Sequence, residues 1–172
     1  MSNERHAYRV AVITASDKGY AGEREDVSGR EIRDMVQAHG YVVKSYLVLP
    51  DERRMLREEL RRLCDEQRAD LILTTGGTGL SPRDATPEAT LDIAQRQVPG
   101  IAEAMRMNSL AVTGRTMLSR GVSVIRGRTL IINLPGSPKA VRENLAYVLP
   151  QLDHALDILT GRAGECAAAN KE

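Results

Sequence analysis

The sequence predicts a single-domain, three-layer α/β fold, with a mostly parallel central sheet flanked by helices. Three observations lead there. Short apolar, β-rich runs alternate with segments whose apolar residues recur every three to four positions, the mark of strands joined by crossover helices. Polar loops containing Gly, Ser and Asp follow several of the strand-like runs. In a parallel sheet such loops share the carboxyl edge, where ligands bind. Finally, 172 residues suit one domain with a substantial core, and no internal repeat or linker divides them.

Residues 9 to 15 form a buried first strand that runs into the polar loop beginning Ser16-Asp17 and reaching Asp26. Ser28 is the expected N-cap of the next helix, with Ile32, Met35 and Val36 on its inner face and His39-Gly40 closing it. Tyr41 to Leu49 is the second strand. Pro50-Asp51-Glu52 turns the chain, and Asp51 is placed to cap an amphipathic helix carrying Leu56, Leu60 and Leu63 inward. Its outward Arg and Glu residues form an ordinary solvated face of i,i+4 pairs.

Leu71-Ile-Leu begins a third, fully buried strand. Three glycines in four positions follow (Gly76, Gly77, Gly79), and such a run belongs where a backbone turns sharply or approaches a ligand. Thr86-Pro87-Glu88 then reads as a helix start, with Thr86 as N-cap. A short helix to Ala94 is broken by Pro99-Gly100 before a second piece, Ile101 to Leu110. Val122 to Ile125 and Thr129 to Asn133 are strands joined by the hairpin-like turn Arg126-Gly-Arg128. Pro135-Gly136-Ser137 is another tight loop at a strand end. The last helix bears Val141, Leu145, Val148, Leu152, Leu156 and Leu159 on one stripe, with Pro150 expected to kink or interrupt it. Loose ends are expected at about 1–7 and 161–172.

Composition narrows the function. A formal net charge of +1, with no Trp or Phe and five Tyr, argues against a nucleic-acid surface or an anionic membrane as partner. No apolar run approaches the roughly 20 residues that span a bilayer, and the first residues lack a signal-peptide core. Cys64 and Cys166 are far apart and in no ligand spacing, so a reduced, cytoplasmic setting is expected.

The Gly76 loop is neither a dinucleotide fingerprint nor a P-loop. Its neighbours are what suggest chemistry: Thr75 and Thr78 bring hydroxyls, Arg83 a cation and Asp84 a carboxylate. A helix N-terminus contributes only about 0.3–1 kcal/mol toward an anion. A polyphosphate therefore needs backbone N–H groups, a basic side chain and Mg²⁺ besides. Asp51 and Asp84 are the candidate metal ligands. Against that, Asp51 serves equally as an N-cap and Asp84 as a turn residue paired with Arg83. His6, His39 and His154 suggest no nucleophilic set and no metal cluster. Positioning and electrostatics on a phosphoryl group fit better than covalent catalysis.

Five motifs in order resemble the MogA/MoaB family of molybdenum-cofactor biosynthesis: Thr74-Thr-Gly-Gly-Thr-Gly79, Pro82-Arg-Asp-Ala-Thr-Pro-Glu-Ala89, Val98-Pro-Gly100 with Glu103-Ala-Met-Arg106, Leu118-Ser-Arg120, and Asn133-Leu-Pro-Gly-Ser-Pro138. The resemblance runs from about Tyr8 to Leu159. Ser16-Asp17, Pro50-Asp51-Glu52 and Arg83-Asp84-Ala85-Thr86-Pro87 look like the MogA branch, whereas Asp26-Val27-Ser28-Gly29 looks closer to MoaB. The same fold occurs in the gephyrin G domain and in MoeA enzymes. The resemblance implies transfer of AMP from Mg-ATP to the terminal phosphate of molybdopterin, releasing pyrophosphate. The alternative it leaves is a non-catalytic pterin-binding or assembly module. It assigns Asp51 and Asp84 as the essential acids with metal binding among their roles. Phosphate or pterin contact falls to Gly76, Gly77, Thr78 and Gly79, the pterin side to Ser119 and Arg120, and the nucleotide side to Pro135, Gly136 and Ser137. It also implies a homotrimer, with a hexamer as the alternative, and a molybdenum-insertion partner of the MoeA type.

Overall fold

The computed structural model describes residues 7–162. Six strands form one sheet: β1 (Arg9–Ala15), β2 (Val42–Leu49), β3 (Leu71–Thr75), β4 (Arg96–Gln97), β5 (Ser123–Arg126) and β6 (Thr129–Leu134). Their order is β2-β1-β3-β6-β5-β4. The pairs β1–β2, β1–β3 and β3–β6 are parallel, whereas β5–β6 and β4–β5 are antiparallel. The chain leaves β1 toward β2 on one side and later returns to β3 on the other. That reversal makes the outlet of β1 and β3 the switch point at which open α/β sheets bind ligands.

Alternation along the strands builds the three layers. Val10, Val12, Leu71, Leu73, Leu130 and Ile132 face one way, against Ile32 and Val36 of α2 (Val27–Ala38) and Val141, Leu145 and Leu152 of α6 (Pro138–Thr160). Ala11, Ile13, Ile72 and Ile131 face the other way, against Leu56, Leu60 and Leu63 of α3 (Arg53–Asp65) and Ala89 of α4 (Thr86–Leu91). A helix α5 (Pro99–Leu110) and a 3₁₀ turn (Gly114–Leu118) complete the layer that holds α6.

Several local expectations are corrected. Asp26, not Ser28, caps α2: its carboxylate accepts from Gly29 N at 2.9 Å. Asp51 does not cap α3, which starts after Glu52 with no side-chain cap. Thr86 is the first residue of α4 rather than its cap, so its hydroxyl is not spent on the helix end. Pro99-Gly100 opens α5 instead of breaking a helix, since Pro lacks only an N–H that the first turn leaves unpaired anyway. α6 runs unbroken through Pro150. The apolar face that it buries offsets the one backbone bond that proline removes. A four-residue helix α1 (Asp17–Tyr20) and the two-residue edge strand β4 carry too little periodicity to be read from sequence. The expected loose ends lie largely outside the described residues. Within them, Gly161 ends α6 in the left-handed conformation at φ 81°.

Candidate active site

Three strand outlets meet at the glycine loop. Gly76 and Gly77 take φ of 87° and 64°, a region nearly closed to other residues. At Gly76 the backbone lies so near the end of β1 that a Cβ would sit 2.2 Å from the Ala15 carbonyl oxygen. On the other side a Cβ on Gly136 would touch the Gly76 Cα at 3.5 Å. The β6 loop is held there by two hydroxyls: Thr75 Oγ1 donates to Pro135 O at 2.6 Å, and Ser28 Oγ to Gly136 O at 2.7 Å. The start of α2 and the β3 and β6 loops are thus fastened together, which the sequence order alone did not reveal.

Around this junction open two compartments. The first, of about 730 Å³, has Ser16, Asp51, Thr75, Gly76 and Ser137 on its walls. The second, of about 450 Å³, is walled by Thr78, Gly79, Ser119 and Pro135, with Leu118 supplying an apolar surface. Gly77, Asp84 and Gly136 border both. The N-termini of α2 and α6, the latter capped by Ser137 Oγ accepting from Ala140 N at 3.2 Å, open onto the first compartment. The α6 end contributes positive potential there, whereas at α2 the capping Asp26 carboxylate, which lines the same compartment beside Glu25, offsets it. Arg24 on its rim makes no ion pair among the described residues, and Arg115 stands likewise at the second compartment. Neither was singled out from sequence, since isolated exposed arginines carry no local signal.

The acids divide into a satisfied one and an unsatisfied one. Asp17 and Asp51 brace one another: Asp17 N donates to Asp51 Oδ2 at 3.1 Å, and Asp51 N to Asp17 Oδ1 at 3.0 Å. Arg83 grips Asp17 through two nitrogens at 2.8 and 3.0 Å, and this ion pair holds the Asp17 carboxyl below its usual range. Arg83 therefore pairs with Asp17 and not with Asp84, correcting that expectation. Among the described residues Asp51 forms no ion pair, Arg83 being taken by Asp17. Burial pushes its carboxyl up, and the neighbouring charges of Asp17 and Asp84 push the same way. Its Oδ1 is buried without a hydrogen-bond partner among the described residues, as is Thr86 Oγ1. A Cβ on Gly77 would lie 3.0 Å from the former and 2.4 Å from the latter, so glycine is what leaves room for both.

Asp84 uses one oxygen at home. Oδ2 accepts from Ser81 N at 3.0 Å and rests 2.8 Å from where a Gly79 Cβ would be. Asp51 and Asp84 thus share the first compartment beside the same loop. Among the described residues no group of three or more His, Cys, Asp or Glu could hold a metal by itself. Two carboxylates with an orphaned oxygen suit Mg²⁺, which keeps water and takes substrate phosphate oxygens for its remaining positions. Arg120 points elsewhere, with its guanidinium on Gly79 O, Asp84 O and Glu88.

A switch-point cleft lined by a glycine loop, a helix N-terminus and a pair of acids defines the class: an α/β protein with its candidate ligand site at the carboxyl edge of a mostly parallel sheet. Comparison with known proteins names the family. Residues 11–154 match the molybdenum-cofactor biosynthesis model described as "Probable molybdopterin binding domain", and the chain belongs to that family. A Helicobacter pylori protein (strain J99) named molybdopterin adenylyltransferase is 41% identical over 154 residues, 88% of each chain. A Thermus thermophilus structure titled as the molybdopterin biosynthesis enzyme MoaB is 52% identical, with a TM-score of 0.85 over 90% of this chain and 97% of that one. A structure of MogA is 38% identical, with a TM-score of 0.82 over 88% of this chain and 99% of that one. No helix among the described residues is long and apolar enough to cross a membrane.

Proposed function

We propose that this protein is a molybdopterin adenylyltransferase: an oxygen of the molybdopterin phosphate attacks the α-phosphorus of ATP, a new P–O–P linkage forms, and pyrophosphate leaves. The observation that carries this reading is the buried, unpartnered Oδ1 of Asp51 beside Gly77. A protein that merely bound an anionic ligand would gain nothing from an uncompensated carboxylate there, because it repels phosphate. With a divalent ion the same oxygen becomes an asset. Asp51 and Asp84 would hold the Mg²⁺ that accompanies ATP, and that ion would neutralise charge on the transferring phosphoryl group.

The protein's own groups bind and orient. The Gly76–Gly79 backbone and the N-terminus of α6 receive phosphate oxygens, and Arg24 and Arg115 add positive charge at the two openings. The nucleotide takes the first compartment and the pterin the second, so the two phosphates meet at Gly77 and Asp84. No side chain needs to become a covalent intermediate, since the nucleophile belongs to the substrate.

Exposed Met107 and Leu110 on α5, Val112 in the connection that follows and Met117 on the 3₁₀ turn support self-association. We take the assembly to be a trimer, with a hexamer as the alternative, acting in the cytoplasm and passing its product to a MoeA-type insertion enzyme. Light scattering on the purified protein tests the assembly.

The second reading is a MoaB-type, non-catalytic pterin-binding module; the 52% identity to the Thermus structure favours the MoaB branch, though that structure is itself titled an enzyme. One assay separates them. Incubation with Mg-ATP and molybdopterin should release pyrophosphate and give an AMP adduct visible by mass spectrometry. Pterin binding without any adduct, in the presence of metal, selects the binding module.

A further inference from the structure

Arg120 sits in the family-like segment that the resemblance places near pterin, yet its side chain is turned toward the protein. Its backbone N donates to Thr78 O at 2.9 Å. Nε donates to Gly79 O at 2.7 Å and Nη2 to Asp84 O at 2.8 Å, while Nη1 meets the Glu88 carboxylate. Each of the three guanidinium nitrogens thus spends a hydrogen on the segment from Gly79 to Glu88, and Glu88 neutralises the charge. Those two carbonyls are the ends of the six-residue loop whose last member is Asp84. The loop is closed inside by Asp84 N donating to Ser81 O at 2.9 Å and Ser81 N donating to Asp84 Oδ2 at 3.0 Å. The Asp84 carboxylate rests against Gly79. One planar fork therefore fixes both the residue that bears the carboxylate and the residue against which it lies. Glu88, in the first turn of α4, aims that fork, with its own Oε2 buried and unpartnered among the described residues.

We propose that Glu88 and Arg120 are a positioning pair that holds Asp84 in its working place, and that Arg120 is not a substrate ligand. A lysine keeps the charge but offers a single nitrogen, which cannot span two carbonyls and a carboxylate. The inference uses the adenylyltransferase reading for its kinetic arm only.

The test compares Arg120→Lys, Glu88→Gln, Asp84→Asn and the double variant Arg120→Lys/Asp84→Asn in the full chain. Arg120→Lys should lower kcat by about 100-fold, the scale of an ångström-sized misplacement, with both KM values within about threefold of the parent. Glu88→Gln should follow the same split with a loss of about tenfold, as for outer partners of ligating groups. In the Asp84→Asn background, Arg120→Lys should cost less than about twofold more, because its effect passes through the missing carboxylate. Independently of turnover, amide exchange of the peptide covering residues 79–85 should quicken by at least about tenfold in Arg120→Lys, with α2 and α6 peptides unchanged. A raised KM at constant kcat would make Arg120 a substrate ligand and overturn the proposal. So would a full extra loss in the double variant. If the parent protein itself forms no adduct, the function reading fails, and the exchange arm decides alone: unchanged exchange at 79–85 overturns the pair.

Discussion

Gly76→Ala probes the convergence of the strand outlets directly. At φ 87° a side chain is strained, by about 1–2 kcal/mol for a residue forced into the left-handed region. The new methyl would also lie 2.2 Å from the Ala15 carbonyl oxygen, a backbone atom at the end of β1 whose residue is paired with Leu49 of β2. Overpacking of this kind costs about 1–3 kcal/mol. Together these give about 2–5 kcal/mol, or a fall in Tm of about 4–20 °C for a chain of this size. Gly100→Ala is the matched control. It lies in the first turn of α5 with nothing within 4 Å of the added carbon and no positive φ. It should leave stability unchanged or raise it by up to about 1 kcal/mol. Thermal unfolding followed by circular dichroism measures both. If Gly76→Ala melts within about 2 °C of the parent, the loop is not wedged between β1 and β6, and the cradle does not exist.

Asp51→Asn should be at least as stable as the parent at pH 7 while turnover falls by about 100-fold or more, as expected for a group placed for function at a cost to folding. The sign follows from linkage. Burial raises the folded-state pKa of Asp51, so the native protein binds more protons, and this carboxyl's contribution to stability falls as pH rises through the unfolded value of about 3.9 and on through the folded one. The variant's advantage should therefore shrink on acidification, as urea midpoints across pH would show. Asp70 behaves oppositely. Burial works to raise its pKa, but the Arg9 side chain and amide outweigh that and hold it below its usual range. Its stabilisation is present above the unfolded value and lost as pH falls through the folded one. Arg9→Met should cost about 2–3 kcal/mol at neutral pH, less than a fully buried pair because Arg9 is 42% exposed, and the difference should narrow below about pH 4. Chelation of divalent ions should stop adduct formation without lowering Tm, since the described residues contain no acid cluster that folds around a metal.

The layers of the fold were legible because burial imposes its period on sequence. The alternation of Val10 and Val12 against Ala11 and Ile13, and the Leu56-Leu60-Leu63 stripe, say which face each element buries. Strand order was not legible, because nothing local tells β1 to pair with both β2 and β3. At the site, the glycines announce an unusual backbone and the structure does bend there. The partners of the charged groups were hidden. Arg83 reaches back 66 positions to Asp17, and Arg120 reaches 41 positions to Gly79. Adjacency in sequence made Arg83–Asp84 look natural, but the turn closes Asp84 on Ser81 and sends Arg83 away. Asp26, which caps α2, also receives Thr14 Oγ1 at 2.7 Å and the Tyr46 hydroxyl on its carboxylate, partners that lie 12 and 20 positions away. An Asp-x-x-Gly spacing is the faint signal that was there to be used.

In the proposed mechanism Asp51 and Asp84 act together, through a divalent ion, on phosphates gathered at one glycine loop. A crystal grown with Mn²⁺ and a non-hydrolysable ATP analogue tests it most directly, because manganese reveals its position by anomalous scattering. The account predicts a peak bonded to an Asp51 or Asp84 carboxylate oxygen, with the analogue's phosphates against Gly76 and Gly77. A peak bonded to neither acid, or an analogue seated at the opposite end of the sheet near Arg9 and Arg128, would contradict it.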